Sequence, residues 1–355
     1  MKIIIDAMGG DNAPGEIVKG VVDAASSLDP AIQYVLVGDE KTVTGCVKDA
    51  GGKKLLGDRI TVVHADGVIS MEDDPFDVVR KKKNSSMTVA LKMLADGEGD
   101  AVVSAGNTGA LYTGATMLVR CVKGIRRAAI AAIIPFERPM LLLDSGANVN
   151  VTAEYMEQFA LMGAVYMEKL FDIRTPEVGL VNNGTESHKG TPVYVETFER
   201  LSANENINFV GNIEGKDIPK CKCDVLVADG FTGNIILKSI EGLGSYFMKR
   251  MKKMLYANLA TKVSALVLKK ELMQFKKDFD ASEAGGSPFL GIRKPVIKAH
   301  GSSDARAIMN ACRQAAKFAG NSVTEEIERR AQFLQKAKPA EIEGSSAGED
   351  QGDEA

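Results

Sequence analysis

Short unbroken apolar runs alternate with amphipathic segments along most of the chain, and this alternation limits the available folds more than any other feature. "KIIID" precedes "GEIVKGVVDAASSL", and "IQYVLVGD" precedes "KTVTGCVKDAG". "ITVVHA", "DAVVSA" and "MLLLD" lead to "AEYMEQFALMGAVYMEKLF"; "EVGLVN", "INFVGN", "DVLVAD" and "PVIKAH" complete the series. Continuous apolar strands between 3.6-period helices predict a largely parallel sheet covered by helices on both faces. The expected fold is therefore a three-layer α/β/α domain over residues 1–335, with 45% hydrophobic residues available for its core.

Ligands of such sheets collect at the carboxyl ends of the strands. Asp6, Ser104, Asp144, Asn182, Asp229 and His300 each close an apolar run, and together they predict a shared crevice. Within "DAMGGDNAPGE", Gly9 and Gly10 permit close backbone approach, and Asp11 opens a turn into a helix. A tight strand–helix turn explains the same residues. In "SAGNTG", Gly106 and Gly109 let N–H groups converge while Ser104, Asn107 and Thr108 add side-chain donors at a helix start. That stretch suits a small tetrahedral anion or an ordinary helix cap. "NNGTESHKG" offers Glu186 and the fixed charge of Lys189; "ADGFTGN" offers Asp229, Thr232 and Asn234; "AHGSSD" offers His300 and Ser302 ahead of the last helices. His188 reads as an incidental loop histidine. No serine–histidine–aspartate order or cysteine–histidine pairing stands out, so no covalent intermediate is expected. No metal site and no cofactor is expected either.

Residues 235–280 break the pattern. Apolar positions at helical spacing predict two long helices meeting near Asn258–Thr261, a hairpin with ten Lys or Arg against three acidic residues up to Phe279. It suits a subunit interface, a contact with an anionic membrane, or both. Residues 336–355 are small and acidic and read as a disordered tail. A net charge of −3 argues against a nucleic-acid binder. Five scattered cysteines, no charged leader and no apolar stretch long enough to span a bilayer suggest a reduced cytoplasmic protein.

Laid side by side, the motifs "DAMGGDNAP", "EDDPFDVVRKKKNSSM", "DAVVSAGNTGAL", "GANVN", "FVGNIEGKDI", "ADGFTGNIILK" and "GGSPFLGIRKPVIKAHGSS" closely resemble the phosphate acyltransferases of bacterial phospholipid synthesis, the PlsX type. The resemblance covers about residues 1–320 in family order. It implies a fold related to phosphate acetyltransferases and isocitrate- or isopropylmalate-type dehydrogenases. It also implies transfer of a long acyl chain from acyl carrier protein to inorganic phosphate. The resulting acyl phosphate would supply a glycerol-3-phosphate acyltransferase downstream. A homodimer held peripherally on the inner face of the membrane is implied as well.

On that reading Lys189, Asn234, Asp229 and His300 are the expected catalytic group, and Ser104, Gly106, Asn107, Thr108 and Gly109 the phosphate loop. Asp6, Gly9, Gly10, Asp11, Asn148, Glu186, Thr232 and Ser302 are the expected substrate contacts. Arg80, Lys81, Lys82, Lys83, Arg126 and Arg127 are candidates for docking the acidic carrier. Two departures stand out. The family's run of glutamates is reduced here to Glu186, and Asn150-Val151 replaces a usual Asp-Cys. The alternatives are a phosphate acetyltransferase-like enzyme using acyl-CoA, and a membrane-associated scaffold for lipid-synthesis enzymes.

Overall fold

The first apolar run becomes β1 (Lys2–Asp6), whose Ile3, Ile4 and Ile5 are fully buried. A computed structural model describes residues 1–268, 270 and 285–334. Further strands are β2 (Gln33–Gly38), β3 (Ile60–His64), β4 (Ala101–Ser104), β5 (Ala129–Pro135), β6 (Pro139–Leu143), β7 (Glu177–Asn182), β8 (Asn208–Glu214), β9 (Val225–Val227), β10 (Ser287–Leu290) and β11 (Val296–Lys298). They form one sheet in the order β3-β2-β1-β4-β11-β10-β5-β6-β9-β7-β8.

The helices are α1 (Gly15–Ser27), α2 (Glu40–Asp49), α3 (Asp77–Arg80), α4 (Ser86–Ala95), α5 (Thr108–Gly114), α6 (Ala153–Phe171), α7 (Pro192–Ala203), α8 (Gly230–Leu255), α9 (Leu259–Val267), α10 (Ala305–Gly320) and α11 (Val323–Ala331). Alternation along β1 divides them between the two faces. Ile3 and Ile5 pack in a core with α1, α6 and α10, while Ile4 packs with Met87, Leu91 and Leu111 of α4 and α5. The expected three layers are present.

Strand direction holds a feature that apolar runs do not encode. β10 is antiparallel to both β11 and β5, and β6 is antiparallel to β5. The strands β6, β9, β7 and β8 therefore run opposite to β3, β2, β1, β4 and β11. In one flat, aligned sheet this would send the two sets of carboxyl ends to opposite edges. The register prevents that: Lys298 pairs with Ser287, Phe289 with Ile130, and Ala131 with Leu143. β11 and β6 thus end at nearly the same level. The two half-sheets are offset along the strands, and their carboxyl ends converge from opposite sides.

α8 leaves the end of β9 and buries only Gly230 and Gly233 along its length. Asn258 and Thr261 close the turn to α9: Asn258 N–H donates to Thr261 Oγ1 at 3.1 Å, and Thr261 N–H to Asn258 Oδ1 at 2.9 Å. This is where the sequence placed the hairpin bend. The hairpin's later positions Leu272, Phe275 and Phe279, and the acidic tail 336–355, lie outside the described residues.

Candidate active site

The first wall is built on Asp6. Ser86 and Ser104 donate their hydroxyls to its two carboxylate oxygens at 2.6 and 2.7 Å, and Gly106 N–H donates to Ser104 Oγ at 3.1 Å. Burial pushes the Asp6 carboxyl up, and its hydrogen bonds only partly oppose this. Gly9 has to be glycine. A Cβ there would stand 2.4 Å from Asp6 Oδ2 and 2.9 Å from the Gly106 nitrogen. Gly10 follows in the left-handed region at φ +108°. Ser104 spends its single proton on Asp6, so it shapes the loop and has no O–H left for an anion.

Asn107 is likewise committed. Its Oδ1 accepts from Ala110 N–H at 3.0 Å as the cap of α5, and its Nδ2 donates to the carbonyls of Met71, Ser70 and Asp73. Gly109 lies against Pro75. With the Ala110 N–H taken by this cap, the N–H groups of Thr108 and Gly109 are the ones left without an intrahelical acceptor, and Thr108 borders the open space beyond.

The second wall is the turn after β11. Asp11 N–H donates to the Gly301 carbonyl at 2.8 Å, and Asn12 Nδ2 reaches the carbonyls of Ser302 and Ser303, locking this turn to the one after β1. His300 Nδ1 accepts from Ser302 N–H at 3.3 Å and lies 2.9 Å from Ser302 Oγ. With Nδ1 as acceptor, the neutral ring carries its proton on Nε2. Lys298, the last residue of β11, is 8% exposed. Its ammonium donates to the carbonyls of Ala105 and Ala299. Burial pushes it down to about 8, against the opposing pull of Asp11 and Asp6.

The third wall is the start of α8. The fully buried Asp144 accepts from the N–H groups of Ile130, Gly146, Ala147 and Asn148 and from Asn148 Nδ2 at 2.9 Å. Asn148 also donates to the Ala128 carbonyl and accepts from the Tyr112 hydroxyl. Its amide is spent on the scaffold. Asp229 caps α8, accepting from Phe231 and Thr232 N–H, from Thr232 Oγ1 at 2.6 Å and from the Tyr194 hydroxyl at 2.6 Å. Burial would raise its carboxyl, but these bonds outweigh burial and hold it below the usual range. Burial and the bond to Asp229 push the Tyr194 phenol up to about 12. Asn234, one turn further along α8, is exposed.

The three walls enclose a cavity of about 840 Å³. Asp11, Thr108, Lys298, His300, Ser302 and Asn234 line it, together with Ile130, Ala132 and Ile133 of β5 and the Lys238–Glu241 ion pair of α8 at 2.7 Å. Of the residues singled out in the sequence, Asp11, Thr108, Asn234, His300 and Ser302 therefore meet. Asp6, Gly9, Gly10, Ser104, Gly106, Asn107 and Gly109 support the first wall from behind; Asn148, Asp229 and Thr232 support the third.

Lys189 and Glu186 do not line the cavity. They sit in the turn after β7, tied by Asn182 Nδ2 to the Lys189 carbonyl at 3.0 Å and by Asn212 Nδ2 to the Glu186 carbonyl at 2.9 Å. The exposed Glu186 carboxyl is held low by its own backbone N–H and, more weakly, by Lys189, with slight desolvation opposing. This cluster connects to the site through α7, whose Tyr194 holds Asp229. Lys298 was missed in the sequence, where it looked like one more position of an apolar run.

In the proposed carrier patch, Lys81 pairs with Asp77 at 3.0 Å, Lys82 with Asp73, and Arg126 with Glu154 at 3.0 Å. Arg80 stacks over the Phe76 ring and Arg127 over the Tyr155 ring. Much of that charge is thus engaged locally. Among the described residues no group of three or more His, Cys, Asp or Glu is placed to hold a metal ion.

A family model described as "Fatty acid synthesis protein" matches residues 1–326. The chain is 46% identical over 328 residues to a phosphate acyltransferase of Thermoanaerobacter pseudethanolicus, covering 92% of this chain and 96% of that one. It is 42% identical over 325 residues to a phosphate acyltransferase of Bacillus subtilis, covering 91% and 96% respectively. Among solved structures, a phosphotransacetylase from Streptococcus pyogenes superposes with a TM-score of 0.59 at 19% identity, over 92% of this chain and 94% of that one. That likeness is one of fold.

Proposed function

This chain belongs to the fatty acid synthesis protein family and is an acyltransferase; from that premise we propose that it moves a long-chain fatty acyl group from acyl carrier protein to inorganic phosphate. The product is acyl phosphate, the donor for acylation of glycerol 3-phosphate on the way to phosphatidic acid. The observation that carries the reading is that Thr108, His300 and Asn234, from three separate elements, border one cavity.

Phosphate needs placement more than activation, since it is already an anion near neutral pH. It is held at the Thr108 end, by the N–H groups of Thr108 and Gly109 that the Asn107 cap leaves over. A phosphate oxygen attacks the thioester carbonyl carbon, the C–O bond forms, and the C–S bond breaks. The charge that develops on the carbonyl oxygen meets the Asn234 amide; the backbone N–H groups of the Gly230–Gly233 turn are already taken by Asn148 and Asp229. Hydrogen phosphate brings one proton and the departing thiolate takes one, so the step needs a relay and no net acid. The Nε2–H of His300 is suited to that relay. Lys189 approaches from the β7 side as a fixed positive charge, making no ion pair among the described residues.

α8 supplies the proposed dimer contact: Leu243, Tyr246 and Phe247, neighbours at helical spacing, are 57 to 63% exposed along it, an apolar cluster that suits a partner surface. Lys249, Arg250, Lys252 and Lys253 near its far end are the proposed contact with an anionic membrane. No described helix is long and apolar enough to cross a bilayer. The protein acts at the inner membrane surface on this reading, from the cytoplasm.

The experiment is a trapping assay. Purified protein is incubated with a long-chain acyl carrier protein, with and without phosphate, and hydroxylamine is added. Equal, phosphate-dependent amounts of free thiol and acyl hydroxamate are expected. Thiol release without phosphate would favour a second reading, in which Ser302, 2.9 Å from His300 Nδ1, is itself the nucleophile. Turnover of acetyl-CoA in preference to long-chain carrier would favour a phosphate acetyltransferase-like enzyme. Biological function retained after loss of the cavity residues would favour a scaffold.

A further inference from the structure

Among the described residues Lys298 is the only lysine or arginine that is buried. The chain has put an ammonium at the end of a central strand, at a cost that grows as water is removed. Its known partners are two uncharged carbonyls, those of Ala105 and Ala299, and it makes no ion pair among the described residues. The nearest acids do not close on it. Asp6 gives its oxygens to Ser86 and Ser104, and Asp11 acts on Lys298 only through its field. Burial without a paired carboxylate leaves a cation with charge to spare, and a buried charge is stable only where something pairs with it.

The direction in which that charge acts is set by its surroundings. Lys298 lines the same cavity as Thr108 and His300, and its carbonyl partner Ala105 belongs to the loop that starts α5. An anion resting on the first turn of α5 therefore comes within reach of the ammonium, which is anchored by carbonyls and so cannot swing away. The other charged or titratable groups around the cavity are Asp11, His300, Asp304 and the Lys238–Glu241 pair, already mutually neutralised, with Asp6 behind the wall.

We infer that Lys298 binds the phosphate substrate, holding one of its oxygens against the Thr108 end of the cavity while another attacks the thioester. This rests on the acyl-transfer reading above for the identity of the anion. An ammonium hydrogen-bonded to an anion is a charge-assisted contact. Its loss weakens binding by about 1.5–3 kcal/mol, roughly a 10- to 100-fold rise in the dissociation constant. Because burial brings the Lys298 ammonium down to about 8, the free enzyme loses this contact as pH rises past that value. Bound phosphate favours the protonated form and delays the loss.

The test compares wild type with Lys298→Met and Lys298→Arg. Steady-state rates are measured at varied phosphate and varied acyl carrier protein, and thermal unfolding is followed with added inorganic phosphate against chloride at equal ionic strength. In Lys298→Met, KM for phosphate should rise at least about tenfold while KM for the acyl carrier stays within about twofold, and phosphate should no longer raise the Tm. Lys298→Arg should recover part of both. The wild-type kcat/KM for phosphate should fall above about pH 8, which keeps the inference testable if Lys298→Met fails to fold. An unchanged phosphate KM in a folded Lys298→Met, or a wild-type profile flat to about pH 9.5, overturns the inference and leaves the acyl-transfer reading standing. A wild type that makes no acyl phosphate overturns the acyl-transfer reading. The phosphate-dependent Tm then still reports whether Lys298 holds an anion.

Discussion

A Cβ on Gly233 would stand 1.9 Å from the carbonyl oxygen of Asp144, so the start of α8 lies directly on the loop that follows β6. Gly230 is pressed in the same way, its N–H donating to the Asn148 carbonyl at 2.7 Å. The buried Asp144 carboxylate, with its ring of N–H donors, makes that loop too stiff to yield. Gly233→Ala must therefore push the helix, and Asn234 with it. The expected result is a loss of about 1–3 kcal/mol in stability together with at least a tenfold loss of turnover. Thermal unfolding and the trapping assay measure the two. A variant with native Tm and turnover would show that the loop gives way after all.

Asp229 holds the same helix end through its cap. Its carboxyl lies below 3.8 in the folded chain because its hydrogen bonds outweigh the cost of burial. A lowered acid contributes stability above its unfolded value, and that contribution disappears as pH falls through the folded one. Asp229→Ala should cost about 1–2 kcal/mol at pH 7, and the gap to wild type should shrink only below about pH 3.8. Urea unfolding at neutral and acid pH checks this. A gap that stayed constant to pH 2.5 would mean that the charge of the cap is irrelevant.

The helices and the outer parallel strands were legible because burial on two faces leaves an unbroken apolar run, as in "KIIID". β5 and β10 were not read, although they turn the sheet around. An apolar run records burial and carries no strand direction, and the four residues of β10 include Pro288. Of the strand-end residues, Asp6, Ser104, Asp144, Asp229 and His300 belong to the walls of one cavity while Asn182 stays with the Lys189 turn, and the reason is one the sequence does not show: two opposed half-sheets offset in register. Within the site, Asp11, Thr108, Asn234, His300 and Ser302 were found by their place after strands. The commitment of Ser104 to Asp6 joins residues 98 positions apart, which no local motif reveals. Lys298 was hidden because a lysine in an apolar run ordinarily carries its charge out to water. The one signal present was its period-2 spacing from His300.

Asn234 stands on the first exposed turn after the Gly230–Gly233 contact, with its amide open to the cavity. If it donates to the carbonyl oxygen in the transition state, Asn234→Ala should lower kcat by about 10²–10³ and change KM for phosphate little. Removal of ground-state binding would give the opposite pattern, a raised KM at normal kcat. The second pattern would remove Asn234 from the oxyanion role.

Lys189 poses a sharper question because it lies outside the main cavity. It is half-buried in the turn after β7, with Glu186 as its charged neighbour. If it acts as a fixed cation on the substrate, Lys189→Ala should reduce kcat/KM for phosphate by about 10- to 100-fold. Lys189→Arg should restore only a fraction, since a guanidinium fork does not fit a point-charge site. Normal phosphate kinetics in Lys189→Ala would remove this residue from the mechanism and leave the cavity group sufficient.

The far end of α8 concentrates Lys249, Arg250, Lys252 and Lys253 within five positions, with Met254 and Tyr256 64 and 61% exposed beside them. Basic side chains next to exposed apolar ones match an anionic lipid surface, where each lysine contributes about 1 kcal/mol. Reversing Lys252 and Lys253 to Glu should therefore weaken binding to vesicles containing anionic lipid by at least about 30-fold. Neutral vesicles should show little difference, and acyl transfer in solution should be unchanged because these residues lie away from the cavity. Co-sedimentation at low and high salt separates the cases, since a charge-driven contact weakens as salt rises. Equal sedimentation of wild type and the double variant would leave α8 with the proposed dimer contact alone.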